Sequence, residues 1–484
     1  MTSHPLFLIV VLDGMRRDMV TAELMPNLAA FRAAGSDFVK SRSVFPSETR
    51  VNSAALGSGC MPDRHGVIAN QFFDPRLYAD RLFHTGQFED ITRAETVFNG
   101  RFITAPSLGE AVAAAGLSMA VVGSGSAGTT RLVNPRAPQL GHVSLCLREW
   151  AASTPHAVAD EVLAAFGPIP PAGRPNSART RLQTRIFLEH VFPRFRPDVS
   201  VLWYTDPDST FHYKGIGSPE ARQALRDLDD QIGILLDWRR TAGLGDHLQI
   251  LMLSDHGQIV AREKVPVREA LHGLKIDQTF LNGADYVLSS GYSGAVWVSD
   301  KAPRLTAAMV EALNAQPWIG SVWTGADGSA VPGTFSRDVA RVRHARAPDI
   351  YFVMATDDGL DGDGVAGGCF FDDAVPQGGG VHGGLHIHEI NNVLMAGGSL
   401  FRSGYVSPWP SGIIDVAPTV LDLLGIRGKT AMDGRPLTEA YMAGCVEPPP
   451  PRETIQAVHR GGRRHAVATW EVNGARYLAR QWVE

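Results

Sequence analysis

The sequence predicts an α/β fold: a mostly parallel central sheet with helices on both faces, plus an inserted cap. Three observations predict it. Short apolar runs alternate with helical patterns along most of the chain. Some of these runs end in acidic residues, as in "LIVVLDG" and "ILMLSDHG". Residues 259–346 then interrupt the series with strand and helix signals of their own. Alternation favours parallel pairing, because a crossover helix carries the chain back to the same end of the sheet.

The expected strands are Phe7–Leu12, Met119–Gly123, Ser200–Tyr204, Gln249–Ser254, Ile350–Met354 and Asn392–Ala396. Near-continuous apolar runs suit strands buried on both faces. Helical periodicity marks Met25–Ala33, Ser107–Ala115, Thr180–Val191 and Ala221–Trp238. The interrupting segment has a strand signal at Gly294–Val298 and a helix at Leu305–Asn314. Near the C-terminus, two alternating runs flank Asn473-Gly474, a hairpin signal. The expected organisation is a core of 1–258 and 347–445, a cap of 259–346, and a C-terminal β-hairpin, 446–484, packed on the core.

Composition narrows the partners. The chain has 484 residues, 20% charged, with a net charge of -5. That balance argues against nucleic-acid polymers and anionic membranes. The run Leu6 to Leu12 is too short to span a bilayer, and it lacks the basic flank of a signal peptide. The four cysteines show no metal spacing and fit a reducing, cytoplasmic setting.

Six side chains form a candidate metal set: Asp13, Asp208, His212, Asp255, His256 and His382. Carboxylates and imidazoles suit a hard or borderline divalent ion. Asp208 and His212 are four apart, so one helical turn aims both at one ion. Asp255-His256 follows an apolar strand and precedes Gly257, where a tight turn is permitted. Each has a plainer reading taken alone: Asp13-Gly14 as a turn, Asp208 and His212 as a solvated helix face. His386 and His388 compete with His382, since alternation places both on one face of an extended segment.

The order of these motifs resembles the alkaline phosphatase superfamily, and particularly its type I phosphodiesterase/nucleotide pyrophosphatase branch. The matching segments are "VVLDGMRRDM", "FPSETRVNSAALGSGCMPDRHGVIAN", "DPDSTFH", "LSDHGQ" and "HGGLHIHEINNVLMAGG". The resemblance implies two zinc ions, with manganese as an alternative. One would be held by Asp208, His212 and His382, the other by Asp13, Asp255, His256 and the nucleophile Thr49. It also implies that Asn70 contacts a phosphoryl oxygen, and that the substrate is a small phosphate ester cleaved through a phosphothreonine. "HGVIANQFFDP" also resembles the phosphonoacetate hydrolases. Phosphomonoester and phosphonate hydrolysis therefore stay open beside diester hydrolysis. So do a manganese phosphomutase and a metal-binding interaction protein.

"GSGCMPDRHGV" holds a Cys-x-Pro-x-Arg pattern like the one that marks the sulfatase nucleophile, at Cys60. Its helix position argues otherwise. Pro46 and Ser47 precede an apolar helix starting near Thr49, where free N–H groups and a positive partial charge suit a phosphate oxygen. Cys60 falls at the far end, where the helix dipole disfavours an anion. One departure from the branch stands out: Arg50 follows Thr49, where a Phe or Tyr is common.

Overall fold

The computed structural model describes residues 4–272, 286–299, 304–326, 328–426 and 431–484. Its central sheet has eight strands. In spatial order they are Tyr405–Gly412, Ser36–Arg42, Leu394–Gly397, Leu248–Leu253, Leu6–Leu12, Val199–Tyr204, Met119–Gly123 and Val143–Cys146. All but Leu394–Gly397 run in one direction.

Alternation along Leu6–Leu12 divides the core. Phe7, Ile9 and Val11 enter one apolar cluster; Leu6, Leu8, Val10 and Leu12 enter another. The helix Thr49–Ser58 covers the first face with Ala54, Ala55 and Leu56. The long helix Pro219–Thr241 covers the second with Leu225, Leu228, Ile232 and Leu235. Burying each such aliphatic side chain contributes roughly 1.5–3 kcal/mol relative to exposure. Among the described residues, no helix is long and apolar enough to cross a membrane.

Five of the expected strands stand in this sheet, within two residues of their expected bounds. Ile350–Met354 does not. It is the middle strand of a second, five-stranded sheet with Tyr286–Ser289, Ser293–Val298, Ile319–Thr324 and Phe335–Ser336. An apolar run looks the same in either sheet, so nothing local separated the two. A four-stranded sheet continues this unit as far as Gly380–Val381, which pairs with Ile259–Lys264. The insertion therefore continues past 346 to about Val381. The strands Ser36–Arg42, Tyr405–Gly412 and Val143–Cys146 of the central sheet were not expected either: the first reads as polar, the second carries Pro408 and Pro410 at a sheet edge, and the third has four residues. The C-terminal unit has three antiparallel strands, not two: Arg452–Arg460 joins the pair Arg463–Val472 and Ala475–Val483. That pair turns at Asn473 and Gly474, with φ of 48° and 82°.

The helix bearing Thr49 is held by a close crossing. A Cβ on Gly57 would lie 2.5 Å from the Val133 carbonyl oxygen. Helix propensity alone would favour alanine at position 57 by about 1 kcal/mol. Overpacking against a backbone that cannot retreat costs about 1–3 kcal/mol. Gly57→Ala should therefore lower the urea midpoint. Gly245→Ala, where a Cβ meets nothing within 4 Å, should change stability by no more than about 0.5 kcal/mol. Equal midpoints for the two variants would remove the tight crossing from the account.

Candidate active site

Three neighbouring parallel strands deliver the carboxylates. Asp13 follows Leu6–Leu12, Asp255 and His256 follow Leu248–Leu253, and Asp208 opens the helix Asp208–Lys214 beyond Val199–Tyr204. Parallel neighbours end on the same edge of a sheet, so these groups converge. Gly14 makes the convergence possible. Its φ is +69°, and a Cβ there would lie 2.8 Å from the Asp208 Cβ. Its N–H donates to Asp255 Oδ1 at 3.0 Å. His382 arrives from the far end of the insertion, just after Val381 pairs with Ile259.

Two groups of donors result. Asp208, His212 and His382 offer atoms within 4.8 Å of one another, and so do Asp13, Asp208 and His256. His212 Nε2 lies 3.2 Å and His382 Nε2 3.5 Å from Asp208 Oδ1. His256 Nε2 lies 3.2 Å from Asp255 Oδ2 and 3.7 Å from Asp13 Oδ1. Thr49, the first residue of its helix, places Oγ1 3.2 Å from His256 Nε2. All six predicted donors and Thr49 thus meet in one place. The structure adds that Asp208 belongs to both groups.

The imidazoles are oriented for coordination. His212 Nδ1 faces the Gly380 carbonyl at 2.7 Å, His382 Nδ1 that of Ser47 at 2.8 Å, and His256 Nδ1 that of Gly257 at 3.0 Å. A carbonyl only accepts, so each Nδ1 carries the proton and each Nε2 turns a lone pair inward. The carboxylates call for a cation. Asp13 Oδ1 and Asp255 Oδ2 are buried without a hydrogen-bond partner. Burial, then Asp255 and Asp208, push the Asp13 carboxyl well above the usual range. Burial works the same way on Asp208, but the His212, His382 and His256 imidazoles outweigh it and hold that carboxyl low. Burial and His256 push the His382 imidazole well down, leaving it neutral. Burial lowers His212 and His256 too, but Asp208 and Asp255 outweigh it and raise both imidazoles. Crowded acids facing imidazole nitrogens fit divalent metal ions.

Asn70 faces the same place. Its Oδ1 accepts from the Arg50 N–H at 3.1 Å. Its own N–H donates to Glu48 Oε2. A cavity of about 230 Å³ opens here, lined by Glu48, Arg50, Asn70, His212, Tyr292 and Ser293 among others. A larger cavity, about 760 Å³, lies between the insertion and the C-terminal sheet and holds none of the six donors. His386 lines that one, with Nε2 3.0 Å from Asp358. His388 sits 3.7 Å from Asp18. Neither joins the donor groups.

Cys60 is buried beyond the αL residue Gly59 that ends the Thr49 helix. Its thiol donates to the Ser58 carbonyl at 3.4 Å, and burial pushes it up to about 11.

Sequence reasoning missed four residues. Trp203 reads as core, yet its indole N–H donates to Asp13 Oδ2 at 2.9 Å. The Gln258 amide donates to Asp208 Oδ1 at 2.6 Å. Glu48 holds the Asn70 backbone, and Tyr292 reaches in from the insertion, its ring 5.2 Å from that of His382. Only Gln258, two residues beyond His256, carried a positional signal.

A parallel sheet with this donor set at its carboxyl edge and a hydroxyl at a helix start defines a member of the alkaline phosphatase superfamily. Residues 7–358 match the family described as type I phosphodiesterase / nucleotide pyrophosphatase, and the chain belongs to that family. Rat ectonucleotide pyrophosphatase/phosphodiesterase family member 3 is 22% identical over 256 residues, covering 52% of this chain and 25% of the relative. Venom phosphodiesterase 2 of Crotalus adamanteus is 23% identical over 248 residues, covering 51% and 26%. The matched stretch thus spans about a quarter of these curated relatives. Mouse ectonucleotide pyrophosphatase/phosphodiesterase 5 shares the fold, with a TM-score of 0.62 at 18% identity, covering 89% of this chain and 97% of that one. An inactive threonine-to-alanine form of that mouse protein, in complex with AMP, gives the same TM-score at 17% identity.

The Trp203 contact is testable. Trp203→Phe keeps the packing but removes the donor to Asp13. Loss of an outer-shell partner typically costs about 10–100-fold in metal affinity. A competition titration against a chromogenic chelator should read that loss with the circular dichroism spectrum retained. Wild-type affinity in the variant would make the indole contact incidental.

Proposed function

We propose that this chain hydrolyses phosphate esters of small molecules, most readily phosphodiesters, through a phosphothreonine at Thr49. One observation carries the reading: the Thr49 hydroxyl, at the start of a helix, lies 3.2 Å from His256 Nε2, a member of the donor groups. Asp208, His212 and His382 would hold one divalent ion, and Asp13, Asp255, His256 and Thr49 the other. Zinc is the best match to this mixture of imidazole and carboxylate donors, with manganese as the alternative. Such ions, when bound, lower the pKa of a coordinated hydroxyl and neutralise charge on phosphoryl and leaving oxygens.

The remaining work falls to the protein. A free threonine hydroxyl is a poor nucleophile at neutral pH, so its proton must be lost to solvent before attack. The Thr49 oxygen then forms a bond to phosphorus as the ester oxygen departs with the bonding electron pair. Free N–H groups at the helix start and the Asn70 amide donate to the non-bridging oxygens. Water hydrolyses the phosphothreonine and restores the hydroxyl. The family match, and the AMP held by the mouse relative, support nucleotide-like phosphate esters as the substrate class.

Kinetics on aryl diester, aryl monoester, phosphonoacetate and aryl sulfate test this reading. Thr49→Ala should lower turnover of the best phosphorus substrate by roughly 10³-fold or more. Acid quench should trap a phosphoryl group on the wild-type peptide that carries Thr49. A chelator should abolish activity, and zinc or manganese should restore it. Cys60→Ala should leave these rates within about threefold, since the thiol lies outside the donor groups. Full activity in Thr49→Ala would end the phosphothreonine mechanism. Sulfate hydrolysis that vanished with Cys60→Ala would return Cys60 to the chemistry.

A further inference from the structure

Arginines close to the candidate ligands in sequence have different fates. Arg16 is buried and committed to Asp18 and to the carbonyls of Gln258 and Ala366. Arg17 is paired with Asp37 at 2.7 Å. The Arg50 side chain has no hydrogen-bond or ion-pair partner among the described residues. It is the one Arg or Lys among the described residues that line the 230 Å³ cavity. Its Nε is buried without a hydrogen-bond partner, and its guanidinium takes part in no ion pair among the described residues.

The acids beside it do not fill that role. Glu48 accepts from the Asn70 N–H through one oxygen and from the Ser293 hydroxyl, at 3.4 Å, through the other. Asp373 Oδ1 takes the N–H of Ala374. A partly buried guanidinium without a partner is costly to maintain unless a ligand completes it.

Charge indicates the ligand. In the proposed centre the three ligand carboxylates and the deprotonated Thr49 oxygen would together balance two divalent ions. Among the described residues that line the cavity, Arg50 is then the one further Arg or Lys that could meet an additional negative charge. We propose that Arg50 is a specificity residue that reads a second negative charge near the attacked phosphorus. Among phosphodiesters the preferred substrate then carries a further oxyanion close to the reacting group, as a pyrophosphate linkage does; a phosphomonoester, or a phosphonate with a neighbouring carboxylate, presents the same second charge. This rests on the reading of Thr49 and the donor groups as a phosphoryl-transfer centre.

The test compares wild type, Arg50→Gln and Arg50→Lys on bis-nitrophenyl phosphate, which carries one charge, and on three doubly charged or more highly charged substrates. These are nitrophenyl phosphate, a dinucleoside pyrophosphate and phosphonoacetate, and they separate the possible sources of the second charge. A charge-assisted hydrogen bond corresponds to about 10–100-fold in rate or affinity. Arg50→Gln should lower kcat/KM on the preferred highly charged substrate by that factor beyond its loss on bis-nitrophenyl phosphate. Arg50→Lys should recover part of it. Calorimetry supplies a readout free of turnover. In the Thr49→Ala background, Arg50→Gln should weaken inorganic phosphate, measured as the dianion, by a similar factor relative to dimethyl phosphate. Equal losses on all substrates, or equal weakening of both ligands, would overturn the proposal. Full turnover by Thr49→Ala alone would instead sink the phosphothreonine reading, and the calorimetric comparison would still decide Arg50.

Discussion

Asp13 and Asp255 lie out of water at the ends of adjacent strands, with the half-buried Asp208 beside them at the start of the next helix, and like charges so placed repel. Burying an ionised carboxylate without compensation costs several kcal/mol. Much of the surrounding structure makes that burial tolerable. The indole of Trp203 and the amides of Gln258 and Gly14 each occupy one carboxylate oxygen. Backbone carbonyls turn the three imidazoles so that their lone pairs share the same space. What protein donors leave unmet is a pair of oxygens, on Asp13 and Asp255, that need positive charge.

How much of this was legible depended on whether the signal was local. Asp208 and His212 are one helical turn apart, and Asp255-His256 adjoins a strand, so short-range geometry revealed them. Thr49 and Cys60 were separated by the polarity of a single helix, which is also a local property. The central strands that failed to show were the polar Ser36–Arg42, the proline-bearing Tyr405–Gly412 and the short Val143–Cys146, whose pairing comes from other segments of the chain. Ile350–Met354 was visible as a strand but not as a member of a particular sheet. Trp203 reads first as core. Its side chain packs like any core indole, and only the strand register that sets it opposite Val11 brings its N–H to Asp13.

The walls of the candidate site come from different parts of the chain. Asp13, Asp208, His212, Asp255 and His256 come from the carboxyl edge of the central sheet and the helix beyond it, His382 from the end of the insertion, and Thr49, Arg50 and Asn70 from one helix and the loop after it. The opposite wall of the cavity comes from the insertion, through Tyr292 and Ser293. Glu48 ties the two walls together, bonded to Asn70 on one side and Ser293 on the other.

The short pairing of Gly380–Val381 with Val260 and Ile259 joins the two ends of that insertion next to His256 and His382. It works as a clasp. Residues added or lost in the loops beyond it change a detour whose exit and return are pinned, so the spacing between donors need not change with detour length. Lengthening a closed loop costs only about 0.6 kcal/mol per doubling. A lineage could therefore rebuild the cavity wall that the insertion supplies by insertion and deletion, while the sheet edge that carries the candidate ligands inherits none of the change.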